Sequence, residues 1–251
     1  MQANSILQDL KSRWLSDQPK AGTIRMGLFR GVRTMAVPRD SLQIRLGLWE
    51  RETHKYIKRA ATAARWIIDI GAGSGELSIF FARRTDADPI IAVEPWNAGL
   101  LRDCIGLNGR VPITVLDQYL GVEENCVRLD SLEVPRHLQG FIKLDADFAE
   151  LSVLQSGERL LAEGKPLLLV ETHSAALEND CCSFLHQLGY RTKIITNAWW
   201  RSIIPEQRPL DHNRWLWAEP DCAGVRLTAD AYRRWSEVIQ PYVVSAQPAD
   251  H

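Results

Sequence analysis

The sequence has no apolar run near the roughly 20 residues that cross a bilayer. Its first residues, MQANSILQDLKSRWL, offer neither a basic n-region nor an unbroken apolar h-region. A membrane partner and a secretory leader are therefore not expected. No C-x-x-C pair occurs among the five cysteines at 104, 126, 181, 182 and 222, so neither a zinc ribbon nor a thioredoxin-like motif is encoded. An odd cysteine count, with Cys181 and Cys182 adjacent in an expected helix, suits reduced thiols packed as small apolar groups, and a cytoplasmic location is the expectation. Surplus charge is missing as well: 30 basic residues stand against 31 acidic ones, a net charge of −1. Nucleic-acid binders usually carry a basic excess, so no nucleic-acid partner is expected. There is no internal repeat.

What is present is a 251-residue chain with 45% hydrophobic and 24% charged residues, enough for one sizeable α/β domain with extensions. Helical spacing appears in 5–15, and 49–64 reads as a second helix. Between them, 18–38 has no clean period and fits a strand pair, a basic flap or a cover. From residue 66 the pattern alternates. Strands are expected at 66–70, 89–94, 112–117, 141–145, 166–171, 192–196 and 214–219. Helices are expected at 76–84, 97–109 with Asn97 as cap, 149–164 and 174–189. The stretch 119–139 reads as loop with a short extended piece at VRLDSL. Such alternation predicts a doubly wound, mostly parallel seven-stranded α/β sheet with an N-terminal helical extension. The expected divisions are a cover segment at 1–62, a core at 63–220, and a C-terminal helix and tail at 221–251.

In sheets of this kind ligands bind beyond the carboxyl ends of strands. The end of the first core strand, WIIDIGAGSGELSIFFARR, carries glycine at three alternate positions, Gly71, Gly73 and Gly75. Such a cluster marks tight turning or close backbone approach. A dinucleotide fingerprint would read G-x-G-x-x-G, whereas position 76 is glutamate, which would repel a pyrophosphate at the helix start. The Gly-Lys-Ser/Thr ending of a phosphate-binding P-loop is absent.

D-x-G-x-G-x-G after one strand and an acid ending the next resemble a class I methyltransferase bound to S-adenosylmethionine. The chain is more specifically similar to FkbM-like methyltransferases over roughly residues 46–220. It carries "LGLWERETHKYIKRA", "IIDIGAGSG", "AVEPWNAGLLRDCIGLNG", "FIKLDADFAELSVLQSGERLL", "PLLLVETH" and "LGYRT" in the expected order. The resemblance implies S-adenosylmethionine as cofactor. Asp69 would lie near its methionine end, directly or by orienting the loop, with Gly71, Ala72, Gly73 and Gly75 letting main-chain amides approach. Glu94 would accept from the ribose hydroxyls, for which paired carboxylate oxygens are suited. Pro95 or Trp96 would pack on the adenine, Asp117 and Gln118 would meet its edge, and Asp145 would close the cofactor site. Plainer roles stay open: Glu94 as an exposed strand end, Trp96 as a staple for the next helix, and Asp117 as a polar loop residue.

The acceptor side is expected from Asp145, Asp147, Glu171 and His173, with Asp145, Asp147 and His173 as the catalytic set. Carboxylates with an imidazole can make a base oriented by an acid or hold a divalent cation, and the metal-free version is preferred. A purely structural histidine is also open. His54 and Lys55 read as solvated or lid residues. N-methyltransferases often place Asn/Asp-Pro-Pro-Tyr/Phe where this chain has LDADFAE, so transfer to a hydroxyl is favoured. The implied acceptor is a sugar or small metabolite, and homo-oligomers are left open. The family usually reads D-x-E-G-x-E where this chain has Asp145-Ala146-Asp147-Phe148-Ala149-Glu150, and many members have Asn and a β-branched residue in the glycine loop. The alternatives are a non-catalytic S-adenosylmethionine-binding protein and a nicotinamide-dependent dehydrogenase. Trp215 and Trp217 are expected in the core. Trp199, Trp200 and Arg201 could cover an acceptor, and Arg25, Arg30 and Arg33 could meet an anionic one.

Overall fold

Every residue of β3 (Trp66–Ile70) is buried, and its side chains divide between two cores. Trp66, Ile68 and Ile70 belong to one apolar cluster, and Ile67 belongs to another on the opposite face. This is period-two alternation in a strand covered on both sides. The computed structural model describes residues 18–36, 42–197 and 212–221. The expected helix at 5–15, the tryptophan pair at 199–200 with Arg201, and all of the C-terminal segment but Asp221 lie outside those residues.

The other sheet strands are β4 (Ile90–Val93), β5 (Thr114–Leu116), β6 (Gly140–Leu144), β7 (Leu167–Thr172), β8 (Tyr190–Ile195) and β9 (Arg214–Pro220). They form a seven-stranded sheet in the order β5-β4-β3-β6-β7-β9-β8. Its pairs from β5 through β7 are parallel, and β9 runs antiparallel to both β7 and β8. The chain leaves β3 toward one edge through β4 and β5, then returns to the other side of β3 as β6. Strand order therefore reverses between β3 and β6, which is where a crevice opens in folds of this type.

The helices are α1 (Leu42–Arg45), α2 (His54–Ala63), α3 (Glu76–Arg84), α4 (Ala98–Leu107), α5 (Glu150–Ser156), α6 (Glu158–Gly164) and α7 (Ala175–Gln187). Tyr56 and Ile57 of α2 and Phe81 of α3 pack with Phe141, Trp215 and Trp217 on one face. Val153, Leu161, Cys181 and Leu185 pack on the other. Trp215 and Trp217 are thus core, as their alternation suggests. No helix among the described residues is long and apolar enough to cross a membrane.

The structure departs from the pattern in several places. Of the readings for 18–38, the strand pair forms: β1 (Lys20–Thr23) and β2 (Arg33–Ala36) make an antiparallel hairpin, so the N-terminal extension is not purely helical. Arg33 fixes this hairpin to the end of α4, exchanging hydrogen bonds with Asn108 at 3.0 and 2.7 Å and donating to the Leu107 carbonyl at 3.3 Å. A ten-residue helix is about 15 Å long, so Arg33 stands that far from the strand ends where ligands bind. The expected helix at 149–164 breaks at Gly157, where an added Cβ would lie 2.5 Å from Leu129. Leu129 is fully buried in a 3-10 turn, Leu129–Ser131, which replaces the expected extended piece.

His54 is buried, not solvated. It packs edge-to-face on Phe29, with ring centroids 5.5 Å apart. Burial lowers its pKa from 6.5 to about 4, opposed by a hydrogen bond to Trp49 and reinforced by Lys58 and Arg51. The unfolded chain therefore takes up a proton near pH 6.5 that the folded chain refuses until about pH 4. Stability held above pH 6.5 is lost as pH falls through this window, by about 3 kcal/mol in all. His54→Gln should flatten the fall of the urea midpoint between pH 6.5 and 4 relative to the parent. Parallel profiles would remove His54 as its source.

Candidate active site

The glycine bend is tied down at the switch point. The amides of Gly71 and Ala72 both donate to the Val93 carbonyl, at 2.9 and 3.0 Å. Gly71 has φ +70, and an added Cβ would lie 1.9 Å from the Asp145 carbonyl oxygen, so the backbone leaving β6 excludes any side chain there. Gly73 differs: its φ is +56, and nothing lies within 4 Å of an added Cβ. Its side faces open space rather than a packed neighbour. Gly75 seats the start of α3 against Leu101.

Glu94 is bonded to this bend and is no exposed strand end, being only 7% exposed. Its Oε2 accepts from the Gly73 amide at 2.8 Å, and its Oε1 accepts from the Trp96 and Asn97 amides at 3.0 Å each. A carboxylate offers about four lone-pair positions, so one on Oε2 stays available. Glu94 also does what was expected of Asn97, whose side chain makes no capping bond to α4.

The remaining cofactor-side residues separate. Asp69 is 1% exposed and accepts from the Ser78 hydroxyl at 2.6 Å, which suits orienting the loop rather than touching a ligand. Burial raises its pKa. Pro95 is half-buried. Trp96 is 78% exposed and meets Tyr119 edge-on at 6.2 Å, so it is not a staple. Asp117 is exposed and paired with Arg102 at 2.9 Å, which holds its carboxyl below the usual range. Gln118 is exposed beside it.

Across the switch point, a second group of side chains converges. The β6/β7 register pairs Leu144 with Val170, which brings Asp145 beside Glu171. Ligand-capable atoms of Asp145, Glu171 and His173 all lie within 4.8 Å of one another. His173 Nδ1 is 2.8 Å from Glu150 Oε1, and Glu150 is fully buried. Glu150 also accepts from the amides of Ala146 and Phe148. With Nδ1 engaged by Glu150, the other ring nitrogen, Nε2, is left to meet the remaining carboxyl groups. That nitrogen faces Asp145 Oδ1 at 3.7 Å and Asp147 Oδ1 at 3.8 Å.

Charge in the cluster is unevenly shared. Burial, then Asp145 and Glu50, push the Glu171 pKa up to about 10. Burial opposes ionisation of Asp145 too, but Lys143 holds its carboxyl below the ordinary range. Lys143 Nζ donates to the Gly71 and Ile70 carbonyls at 2.7 and 3.3 Å and lies 3.4 Å from Asp145 Oδ2. Burial disfavours its charge, yet Asp145, Asp69, Glu50 and Glu171 more than offset that, and its pKa is raised. Burial likewise disfavours protonated His173, but the bond to Glu150 and the surrounding carboxylates raise its pKa.

Sequence reasoning passed over Lys143, Glu150 and Glu50. Lys143 had a usable signal: a lone cation in an apolar strand, two residues before Asp145 and so on the same side. Glu50 had none, because only the fold brings it near β7.

Asp147 and Phe148 occupy left-handed backbone conformations, at φ +42 and +79. Phe148 is 58% exposed, and its ring lies 5.3 Å from that of His173. Left-handed backbone costs a non-glycine residue roughly 1–2 kcal/mol, part of which glycine returns through the unfolded chain. Phe148→Gly should therefore stabilise the fold by about 1 kcal/mol, or ~3 °C in Tm by calorimetry. An unchanged or lower Tm would show that the turn is unstrained.

No protein-family model matches the chain, and no curated protein matches it in sequence. Among solved structures, the methyltransferase FkbM from Methylobacillus flagellatus KT is similar with a TM-score of 0.50 and 18% identity, over 62% of this chain and 43% of that one. The chain thus spans less than half of that protein. Precorrin-6y C5,15-methyltransferase from Geobacter metallireducens GS-15 gives a TM-score of 0.49 at 19% identity, over 68% and 87% of the two chains. TYW2 from M. jannaschii, in complex with AdoMet, gives 0.49 at 12%, over 81% and 86%. In strand order, strand direction and flanking helices, this chain has a Rossmann-like fold like that of the methyltransferase FkbM structure.

Proposed function

We propose that the protein is an S-adenosylmethionine-dependent methyltransferase acting on a hydroxyl of a sugar or another small metabolite. The observation that carries this reading is the Glu94–Gly73 bond at the rim of an open glycine bend, across the switch point from the His173 cluster. One side suits a nucleoside. The other suits an alcohol.

On the cofactor side, the donor would lie in the open space beside Gly73, and the remaining lone pair of Glu94 Oε2 would accept from a ribose hydroxyl. Asp69 would act through the loop it orients. On the acceptor side, the hydroxyl oxygen attacks the methyl carbon in line with the carbon–sulfur bond. That bond's electron pair stays on sulfur, leaving a neutral thioether, and the hydroxyl proton passes to the acceptor-rich cluster of Asp145, Asp147 and His173. The sulfonium supplies the activated methyl group, while alignment and removal of the proton fall to the protein. A nicotinamide dinucleotide fits less well: Glu76 stands in the first turn of α3, accepting from Ser74 at 2.6 Å, where a pyrophosphate would need to bind.

Incubation of the protein with labelled S-adenosylmethionine and fractionated metabolite, glycan and RNA extracts tests the reading. Label is expected in an alkali-stable ether of a small-molecule or glycan fraction. Label in RNA alone would overturn the acceptor class. Bound cofactor with no transfer into any fraction would favour a non-catalytic binding protein.

A further inference from the structure

We propose that Asp145, Glu171 and His173 form a divalent-cation site, with Asp147 at its mouth. The sequence alone favours a metal-free base here, and three features of the geometry shift the balance. First, two carboxyl groups and an imidazole bring ligand-capable atoms within 4.8 Å of one another, and the Asp145 and Glu171 carboxyls are close enough to share a hydrogen bond whose proton a cation would replace. Nδ1 of His173 is engaged by Glu150 at 2.8 Å, so its other ring nitrogen is the one that faces the carboxyl oxygens of Asp145 and Asp147. Second, the spacing around His173 Nε2 suits a shared ion rather than direct bonds. Separations of 3.7 and 3.8 Å exceed a hydrogen bond. Two ligand atoms each about 2.1 Å from one cation stand about 3–4 Å apart. Third, the nitrogen is built in: the His173 side chain is 3% exposed and its ring is set by a fully buried glutamate. A histidine bonded to a carboxylate through the nitrogen that faces away from the metal is the usual support of an imidazole ligand.

Among the described residues, Lys143 and the imidazole of His173 are the positive partners of Asp145; Lys143 divides its donors between the Gly71 and Ile70 carbonyls and Asp145 Oδ2. Two carboxylates and one imidazole make a mixed oxygen and nitrogen donor set, which suits Mn2+ or a similar borderline cation. Three protein ligands leave positions open for water or an alcohol. A hydroxyl bound there would be acidified enough for exposed Asp147 to take its proton. That catalytic role rests on the proposed methyl transfer; the binding itself does not.

The test is Mn2+ titration of the full chain by calorimetry and electron paramagnetic resonance, without cofactor. One equivalent per chain is expected, weakened by more than about 100-fold in both His173→Ala and Glu171→Gln, since loss of a direct ligand exceeds the roughly 10- to 100-fold cost of losing an outer-shell partner. Titration of each variant with S-adenosylhomocysteine reports on folding and on the cofactor site. No saturable Mn2+ binding by the parent, or equal binding by variants that still bind S-adenosylhomocysteine, would overturn the cation site and leave methyl transfer standing. Variant-sensitive Mn2+ binding in a protein that binds no S-adenosylhomocysteine would establish the site and overturn the methyltransferase reading.

Discussion

Glu94→Ala is expected to weaken S-adenosylmethionine binding by about 100-fold, equivalent to ~2.7 kcal/mol. Charge-assisted hydrogen bonds contribute about 1.5–3 kcal/mol each when a partner is removed, and Glu94 has two ways to reach the cofactor. It would bond the ribose directly, and it already holds the Gly73 amide that shapes the bend. Because it also accepts from Trp96 and Asn97, the truncation orphans three amides and should lower the urea midpoint as well. Glu94→Gln separates the two effects. It retains one acceptor oxygen, so it should recover more stability than affinity. Calorimetry on both variants, alongside denaturation, gives the comparison. Cofactor affinity unchanged in both would remove Glu94 from the site.

The second large effect is expected at the opposite strand ends. His173→Ala and Asp147→Ala should leave cofactor affinity within about threefold and lower turnover. The loss is expected to be about 100- to 10,000-fold for His173, the range of a lost acid–base or proton-handling group. It should be smaller for Asp147, whose side chain is 60% exposed at the rim and which water can partly replace. The contrast between binding and turnover is what matters. A His173 variant with wild-type turnover would leave the acceptor cluster without a chemical role. A variant that loses cofactor affinity equally would place His173 on the donor side.

The strands were readable because both faces of the sheet are covered. A buried parallel strand such as β3 must be apolar throughout, and WIIDI and PLLLVE stand out against any background. Strand ends were readable for a related reason: polar residues there interrupt long apolar runs, and the fold opens at those ends. That logic singled out Glu94, Asp145, Glu171 and His173, and the structure brings the last three within 4.8 Å of one another.

What it missed depends on contacts distant in sequence. The break at Gly157 is caused by Leu129 inserting from another segment, and helical periodicity alone continues through it. Asn97 has the residue type of a cap, but Glu94 reaches the same amides first. Asp117 has the type of an adenine partner, yet Arg102 is one helix away and claims it. His54 reads as polar and therefore solvated, whereas Phe29 of the hairpin covers it. The function of Glu150 lay hidden because its effect passes through His173.

The central claim concerns the open space at Gly73, and the most direct measurement is calorimetric titration of the unmodified protein with S-adenosylhomocysteine and, separately, NAD+. The account predicts one saturable site per chain for the sulfur nucleoside and none for the dinucleotide. Saturable NAD+ binding with no heat from S-adenosylhomocysteine would contradict it.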